Sequence, residues 1–361
     1  MDIAIFILGI LMLLGLIVAH EYGHAIAARR NGVEVEEFGV GFPPRAWGKK
    51  VKGTLYSINW LPLGGFVKLK GEHDAATGKG TYGGASLLAK TKILLAGVVV
   101  NWLIAVFIFT ILSLVGMPKI LPNQFAVSND TYTSAGVVRA GEITKDSPAA
   151  KAGIVVGDQL LAFNGDPIPS AKRFAEQTAG AAGQTVPLAY KRNGQINTVY
   201  VTLNKDNSGG KGYVGIGPSE QSTQRATWSA PIVGAGLTVQ FTYETFKGLG
   251  TTLADLFTGK FQKAGENVAG PIGIVNIMQQ SSSLGLTPVL FLIGIISLTL
   301  AVMNVLPIPA LDGGRLFVTL LFRALKKPLT KEREEAIQAT GFVVLMILVL
   351  VITFVDVRRF F

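Results

Sequence analysis

The 361-residue sequence predicts a polytopic α-helical membrane protein with about four transmembrane helices, a membrane-associated β-hairpin or small sheet, and one small β-rich domain outside the membrane. Hydrophobic residues make up 49% of the chain and charged residues only 16%, and the apolar residues are gathered into long runs. Between the second and third runs lies a long polar stretch with strand and turn signals. The absence of cysteine excludes disulfides and thiolate metal sites.

Four apolar segments are candidates for transmembrane helices, and they occupy residues 3–28, 93–115, 289–306 and 342–355. The third of them holds about 18 residues, which is near the lower limit for crossing a bilayer. The first is not expected to be a cleaved signal peptide, because no basic region precedes it and no small-residue cleavage site follows it.

The basic residues predict the orientation of these helices. Residues 29–92 carry eleven Lys or Arg against five Asp or Glu, and residues 307–335 carry six against four. Because short loops rich in Lys and Arg stay in the cytoplasm, we expect both segments there, with the N-terminus and residues 117–287 outside a bacterial cytoplasmic (inner) membrane. Arg358 and Arg359 disagree with this orientation. The net charge of +10 fits an anionic bilayer surface, and no nucleic-acid partner is expected.

The segment between the first two helices has β character. Tyr56, Ile58 and Trp60 alternate with polar residues, and proline and glycine bound the run at positions 62–65. This period of two predicts a β-hairpin or small sheet at the cytoplasmic side of the membrane. A solvated loop with a hairpin is the alternative.

The polar stretch begins with a small β-rich module, residues 137–204. Ser147 is a good N-cap, Pro148 fits a first helical turn, and Gly153 fits a helix stop. The pattern AGIxxGDxLxxxNG resembles that of bacterial PDZ domains, so we expect one extracytoplasmic PDZ-like domain. Residues 205–270 are predicted to be a polar linker followed by an amphipathic helix that lies on the membrane surface or packs on this domain.

The chemistry of the chain is indicated by the sequence HEYGH near the end of the first apolar segment. His20 and His24 are four residues apart, so on a helix both imidazoles face one side and reach one ion. Zn²⁺ suits neutral imidazole and acidifies a bound water, and Glu21 is placed to take the proton of that water. The alternative is a chance HExxH whose histidines are satisfied by neighbours.

The third ligand is predicted from topology. His73 lies in a polar glycine-rich loop and is expected to be solvated rather than a ligand. The third helix reaches the same membrane face as His20 and ends in NVLPIPALDGG, where two prolines forbid continuous helix. Irregular backbone at membrane depth is tolerated only within protein or at a cavity. We therefore expect this segment to place the Asp312 carboxylate at the depth of His20, as the third ligand. An interfacial aspartate that caps the next helix is the alternative.

These motifs resemble those of the site-2 protease family of intramembrane zinc metalloproteases. The matching features are HEYGH, NVLPIPALDGG, a preceding GPIG turn, four membrane helices and one PDZ-like insert. The resemblance implies that His20, His24 and Asp312 bind Zn²⁺, that Glu21 activates water, and that three further residues shape the substrate site; these are Asn304, Pro307 and Pro309. From the sequence we divide the chain into four parts: residues 1–116 with HExxH and the β element, the PDZ-like domain at 137–204, the linker and surface helix at 205–270, and residues 271–361 with the NxxPxPxLDG motif.

The predicted function is therefore an intramembrane zinc endopeptidase. Its expected partners are the lipid bilayer and single-pass membrane proteins already cut outside the cytoplasm, such as anti-sigma factors or remnant signal peptides. We expect an unwound substrate to add as a strand beside residues 304–311 and 64–69, where Gly64 and Gly65 permit close approach. The alternative is a PDZ-based membrane scaffold or chaperone with a structural metal site, which would need no Glu21. A transporter would need polar residues in more of the helices.

Overall fold

The computed structural model describes residues 2–360 except 135, 193, 208–211, 261–262, 264 and 266–267. The chain forms two compact units. The helical unit comprises Met1–Leu112 and Pro231–Phe361, and the sheet unit comprises Ser113–Ala230.

The described residues form nine helices and eleven strands. The helices are α1 Ile3–Arg30, α2 Leu87–Val115, α3 Pro148–Lys151, α4 Ala171–Gly180, α5 Ala230–Phe257, α6 Pro271–Ser283, α7 Leu286–Val305, α8 Asp312–Ala324 and α9 Lys331–Phe360. The strands are β1 Val35–Val51, β2 Thr54–Leu69, β3 Met117–Pro118, β4 Tyr132–Thr133, β5 Val137–Ile143, β6 Gln159–Phe163, β7 Asp166–Pro167, β8 Thr185–Arg192, β9 Gln195–Thr202, β10 Ile216–Gln221 and β11 Thr223–Arg225.

Four helices of the described chain are long and apolar enough to cross a membrane: α1, α2, α7 and α9. The prediction of four membrane helices is confirmed, and the chain is an integral membrane protein. The helices pack closely where small residues allow it. A Cβ added at Gly9 of α1 would lie 2.5 Å from the Met278 sulfur on α6 and 3.2 Å from a Val289 methyl on α7. Glycine at this position therefore lets three helices meet.

The predicted β element is a hairpin of two long, bent strands. Residues 37–40 of β1 pair on both sides with β2, so that Phe38 faces Tyr56 on one side and Val67 on the other. The two strands thus make an antiparallel sheet with four rows. Residues 65–69 of β2, here called the edge segment, form an outer row that pairs only with β1 among the described strands.

The sheet unit is built on strands in the order β10-β5-β6-β8-β9, with β7 pairing β6, and on a three-stranded sheet in the order β3-β11-β4. Its core is apolar and contains Leu160, Phe174 and Leu188. Ser147 caps α3 as predicted, because its side-chain oxygen accepts a hydrogen bond from the Ala150 N–H at 3.2 Å.

Part of the predicted linker is a strand instead. β10 pairs antiparallel with β5 and closes one edge of the larger sheet, so this sheet extends beyond residue 204. The sequence IGPSEQ has no period-two alternation, and its partner lies more than seventy residues earlier in the chain. The local sequence pattern could therefore not predict the pairing of β10 with β5. Residues 208–211 of the predicted linker lie outside the described residues.

The helix predicted to lie on the membrane surface or on the domain packs instead along a membrane helix. The first half of α5 runs beside α2, where a Cβ added at Gly234 would lie 2.3 Å from the Thr110 hydroxyl. Two turns further on, the Trp102 indole N–H donates to the Thr242 hydroxyl at 3.3 Å. Phe241 is buried, with its ring 5.3 Å from that of Phe109. Glycine at position 234 therefore allows α5 to approach α2 closely.

Candidate metal centre

The first two groups of the candidate centre come from one face of α1. His20 and His24 are both buried, and their Nε2 atoms lie 3.1 Å apart. Their rings meet edge to face with centroids 4.7 Å apart. The spacing of four residues along a helix places the rings one turn apart, as the HExxH pattern predicts.

Asp312, the first residue of α8, completes the cluster. Its Oδ2 lies 3.1 Å from His20 Nε2 and 3.2 Å from His24 Nε2. Three atoms bound tetrahedrally to zinc at ordinary N and O bond lengths would be separated by about 3.3 Å. The observed spacing and the donor types therefore fit a zinc ion held by two imidazoles and a carboxylate. Within the described part of the chain no side-chain capping bond forms at the start of α8, and the Asp312 carboxylate faces the histidines.

A tightly folded loop delivers Asp312. The chain leaves α7 at Val305, and its loop carbonyls lie directly over the first turn of α8. A Cβ added at Gly314 would lie 1.9 Å from the Ile308 oxygen, and one added at Gly313 would lie 2.3 Å from the Val305 oxygen. The two glycines after the aspartate are thus required for the loop to fold back onto the helix, which fixes the carboxylate relative to α1.

The three residues predicted to shape the substrate site have differing environments. Asn304 donates its side-chain N–H to the Leu300 carbonyl at 3.0 Å, within its own helix. Pro307 is exposed. Pro309 packs against α9, since a Cβ added at Gly341 would lie 2.4 Å from its ring. Their role in substrate binding stays a prediction.

Gly64 and Gly65, which are predicted to permit close approach of the substrate, lie where β2 passes α1, the helix that carries HExxH. A Cβ added at Gly65 would lie 3.4 Å from Glu21 Cγ and 3.2 Å from the Gly39 oxygen. Gly64 adopts a φ of +80° beside the Phe42 ring, a conformation that other residues rarely take. The edge segment therefore begins directly at the glutamate of HExxH.

A cavity of about 730 Å³ opens between the end of the edge segment and the loop before α8. Its lining includes Lys68, Leu69, Leu311 and Asp312. His73 also borders this cavity, and its Nε2 lies 3.5 Å from a Glu335 oxygen. It is therefore not part of the three-residue cluster.

A buried ion-pair cluster beside this cavity was not predicted. Arg315, one turn after Asp312, donates to the Glu72 carboxylate at 2.9 Å, to the Glu72 carbonyl, and to the Glu334 carboxylate at 3.1 Å. Burial would lower the pKa of the Arg315 guanidinium, but Tyr82, Glu72 and Glu334 raise it above its ordinary value and keep it charged. The only sequence signal was a charged residue following LDGG.

The same cluster continues to the start of α2. Lys90 is fully buried, pairs with the Asp74 carboxylate, and lies 5.3 Å from the centroid of the Tyr82 ring. Burial raises the pKa of the Tyr82 hydroxyl, which stays neutral. The Asp74 N–H donates to Glu334 at 2.7 Å, so the loop after β2 is bound to both α8 and α9.

Comparison with known proteins agrees with this chemistry. The profile of peptidase family M50 matches residues 8–348. A Clostridium perfringens protein provisionally named a zinc metalloprotease is 31% identical over 354 residues, which cover 97% of this chain and 98% of the relative. Zinc metalloprotease RasP of Shouchella clausii is 27% identical over 414 aligned positions, covering 96% of this chain and 97% of the relative. The regulator of sigma-W protease RasP of Bacillus subtilis is 26% identical over 428 aligned positions, covering 96% of this chain and 96% of the relative.

The fold and the relatives together define a membrane metalloprotease. The chain belongs to peptidase family M50, and its predicted resemblance to site-2 proteases is confirmed.

Proposed function

We propose that this chain is an intramembrane zinc endopeptidase that cleaves within the transmembrane segments of single-pass membrane proteins. The observation that carries the proposal is the convergence of His20, His24 and Asp312 at 3.1–3.2 Å, with Glu21 on the same helix. Zinc is the metal, because the relatives are named zinc metalloproteases and two imidazoles with a carboxylate suit it. His20 and His24 lie on a helix that is a candidate to cross the membrane, so the scissile bond has to reach membrane depth.

The proposed chemistry divides between ligands and base. His20, His24 and Asp312 would hold zinc, which acts as a Lewis acid and acidifies water when bound. Glu21 is adjacent to the ligands but outside the cluster of three. Its carboxylate takes the proton of the attacking water and passes it to the nitrogen of the leaving peptide.

We propose that the edge segment presents the substrate to Glu21. A transmembrane helix hides its peptide carbonyls in its own hydrogen bonds, so it must unwind before it can be cleaved. The outer side of residues 65–69 has no strand partner among the described residues and can supply replacement hydrogen bonds. Gly65 lets an added strand approach the glutamate closely. The cavity beside Asp312 then receives the unwound segment.

We further propose that the sheet unit is a PDZ-like domain that binds the new carboxyl terminus left by an earlier extracytoplasmic cut. A cavity of about 630 Å³ lies between α4 and β10 and is lined by Phe174, Thr178, Val214 and Ile216. β10 is an outer strand, so a peptide can add to it, and backbone N–H groups of the preceding loop suit a carboxylate. Gly215 in this loop has a φ of +75°.

The proposed substrates are anti-sigma factors and remnant signal peptides, which are single-pass proteins cut first by another protease. The name of the Bacillus relative, regulator of sigma-W protease, supports the first class. Deleting residues 137–221 tests the role of the sheet unit. Recruitment predicts loss of cleavage of a substrate with a free new carboxyl terminus. A gain in cleavage of bulky, uncut substrates would instead identify the unit as a size filter.

We place the chain in a bacterial cytoplasmic membrane, with its N-terminus and sheet unit outside and the metal centre near the cytoplasmic face. The excess of Lys and Arg in residues 29–92 and 307–335 supports this orientation. Because the chain has no cysteine, single cysteines introduced at exposed Lys49 and Lys172 report their side directly. An impermeant maleimide applied to intact spheroplasts should label position 172 only. Labelling of position 49 would reverse the orientation.

Glu21→Gln tests the proposed reaction. The purified variant should keep its zinc and lose cleavage of a model membrane substrate, because glutamine cannot accept the proton. Glu176→Gln, at an exposed position of the sheet unit, is the control and should retain both properties. Full activity of Glu21→Gln would remove Glu21 from the mechanism and favour a scaffold with a structural metal site.

A further inference from the structure

We infer that one face of α2 positions both zinc-binding histidines, and that Asn101 sets the tautomer of His20. This inference rests on the proposed metal site and adds to it residues outside the cluster of three. The face consists of Ile93, Gly97 and Asn101, which are four residues apart and therefore lie in one row along the helix.

His24 shows how this face works. Its Nδ1 lies 2.7 Å from the Ile93 carbonyl oxygen, which can only accept a hydrogen bond. Nδ1 therefore carries a proton and donates it. In a neutral imidazole the Nε2 lone pair is then free, and it is Nε2 that faces His20 and Asp312. One backbone carbonyl of α2 thus fixes both the tautomer and the direction of this ring.

His20 needs the same arrangement, and Asn101 is the group that supplies it. The His20 Nε2 faces the cluster, so a neutral metal-binding ring must carry its proton on Nδ1. The side-chain amide of Asn101 lies 3.3 Å from this Nδ1, and Asn101 is only 1% exposed. A hydrogen-bond acceptor is therefore required at the Asn101 amide.

The amide orientation supports this assignment. With Nδ2 facing the ring, the buried Asn101 Oδ1 has no hydrogen-bond partner among the residues that the structure describes, which is costly in a membrane helix. Rotating the amide by 180° exchanges its oxygen and nitrogen without changing its shape. Oδ1 then accepts from the His20 Nδ1–H, which the donor group Nδ2 cannot do, and Nδ2 takes the former place of the oxygen. We assign this orientation to the zinc-bound protein.

Gly97 completes the face by bringing the rings into contact with α2. A Cβ added there would lie 2.5 Å from His20 Cε1, 2.6 Å from its Nδ1, and 2.6 Å from His24 Nε2. No other residue leaves room for both rings at this position. The rings therefore lie against the α2 backbone, with Ile93 on one side of the glycine and Asn101 on the other.

The expected consequence is a change in zinc affinity. Groups that orient a metal-binding histidine typically contribute 10- to 100-fold to the affinity for the metal. Asn101→Leu removes the acceptor while keeping a side chain branched at Cγ, and it should weaken zinc binding by about 10- to 100-fold. Asn101→Asp keeps an acceptor at the same place and makes the ring more basic, so its zinc affinity should equal or exceed that of the wild type.

The experiment measures the zinc dissociation constant of the full-length protein in detergent by competition with a chromogenic chelator, without reference to proteolysis. Ser297→Ala is the matched control, because its hydroxyl donates to the Asn101 backbone carbonyl at 2.8 Å and is not bonded to either histidine. It should bind zinc as the wild type does. His20→Ala reports whether the metal site itself is where we propose it.

The outcomes separate the two proposals. If His20→Ala binds zinc like the wild type, the proposed metal site is wrong. If His20→Ala loses zinc while Asn101→Leu stays within twofold of the wild type, only the inference about Asn101 is overturned. An equal loss of zinc affinity in Ser297→Ala and Asn101→Leu would also overturn the inference about Asn101. Weaker packing of α2 would then explain both losses without any hydrogen bond to His20. If Asn101→Leu fails to fold, Asn101→Asp still tests the assignment by itself. A weaker zinc affinity in Asn101→Asp than in the wild type would refute it.

Discussion

Replacing Arg315 by glutamine tests whether the ion-pair cluster beside the metal centre fixes the end of the edge segment. Arg315 joins Glu72, which follows β2, to Glu334 in the first turn of α9. Glutamine keeps a donor but removes the charge, so two carboxylates are left without their cation. We expect reduced stability and slower cleavage with zinc still bound, because Asp312 keeps its place at the start of α8 while the end of the edge segment loses its ion pairs.

The magnitude follows from the exposure of each pair. The Glu334 side chain is 3% exposed and that of Arg315 is 19% exposed, whereas Glu72 is 35% exposed. Removing one partner of a buried pair costs about 3–5 kcal/mol, and an exposed pair contributes about 1 kcal/mol or less. Since only one of the two pairs is well buried, we expect a loss of about 3 kcal/mol in the free energy of unfolding.

The assay is reversible denaturation of the purified protein in mixed micelles, combined with zinc content and cleavage rate. Glu334→Gln and the double variant complete a cycle, and the double variant should be more stable than the sum of the single losses by about 1–3 kcal/mol. Arg323→Gln is the control on the same helix, because Arg323 is 43% exposed and 3.7 Å from Asp74. A loss in Arg315→Gln no larger than in this control, or additive single losses, would refute the reasoning.

Three further predictions concern the loop, the edge segment and the sheet unit. Gly314→Ala should displace the loop before α8 and lower zinc content, measured by atomic absorption; wild-type zinc would show that the loop tolerates a side chain. Val67→Pro should reduce cleavage of an intact membrane substrate while Val67→Ala does not, and unchanged turnover would reject strand addition there. Although burial opposes it, hydrogen bonds from Ser229 and Thr227 lower the pKa of Asp130 from 3.8 to about 2. The stability they add is thus present above pH 3.8 and lost as the pH falls through about 2. Asp130→Asn should flatten that pH dependence in thermal unfolding, and an unchanged profile would exclude this carboxylate.

The sequence could predict those parts of the molecule that depend on local spacing or on chain direction. HExxH places two imidazoles on one helix face by spacing alone. Asp312 was predicted because two prolines end α7 at the membrane face that α1 also reaches. The position of β10 and the packing of α5 could not be predicted, because each depends on a partner far away in the chain and neither carries a regular pattern. Arg315 and Asn101 were missed for the same reason.

The two histidines of α1 are accommodated because their ring nitrogens have partners. An unpaired imidazole at membrane depth is costly, yet each Nε2 lies at the carboxylate of Asp312 and each Nδ1 lies at a group of α2. The partners come from two other segments, so α1 cannot hold its histidines in a working geometry by itself. A change in α2 that leaves HExxH intact should therefore impair the metal centre as directly as a change in the loop before α8.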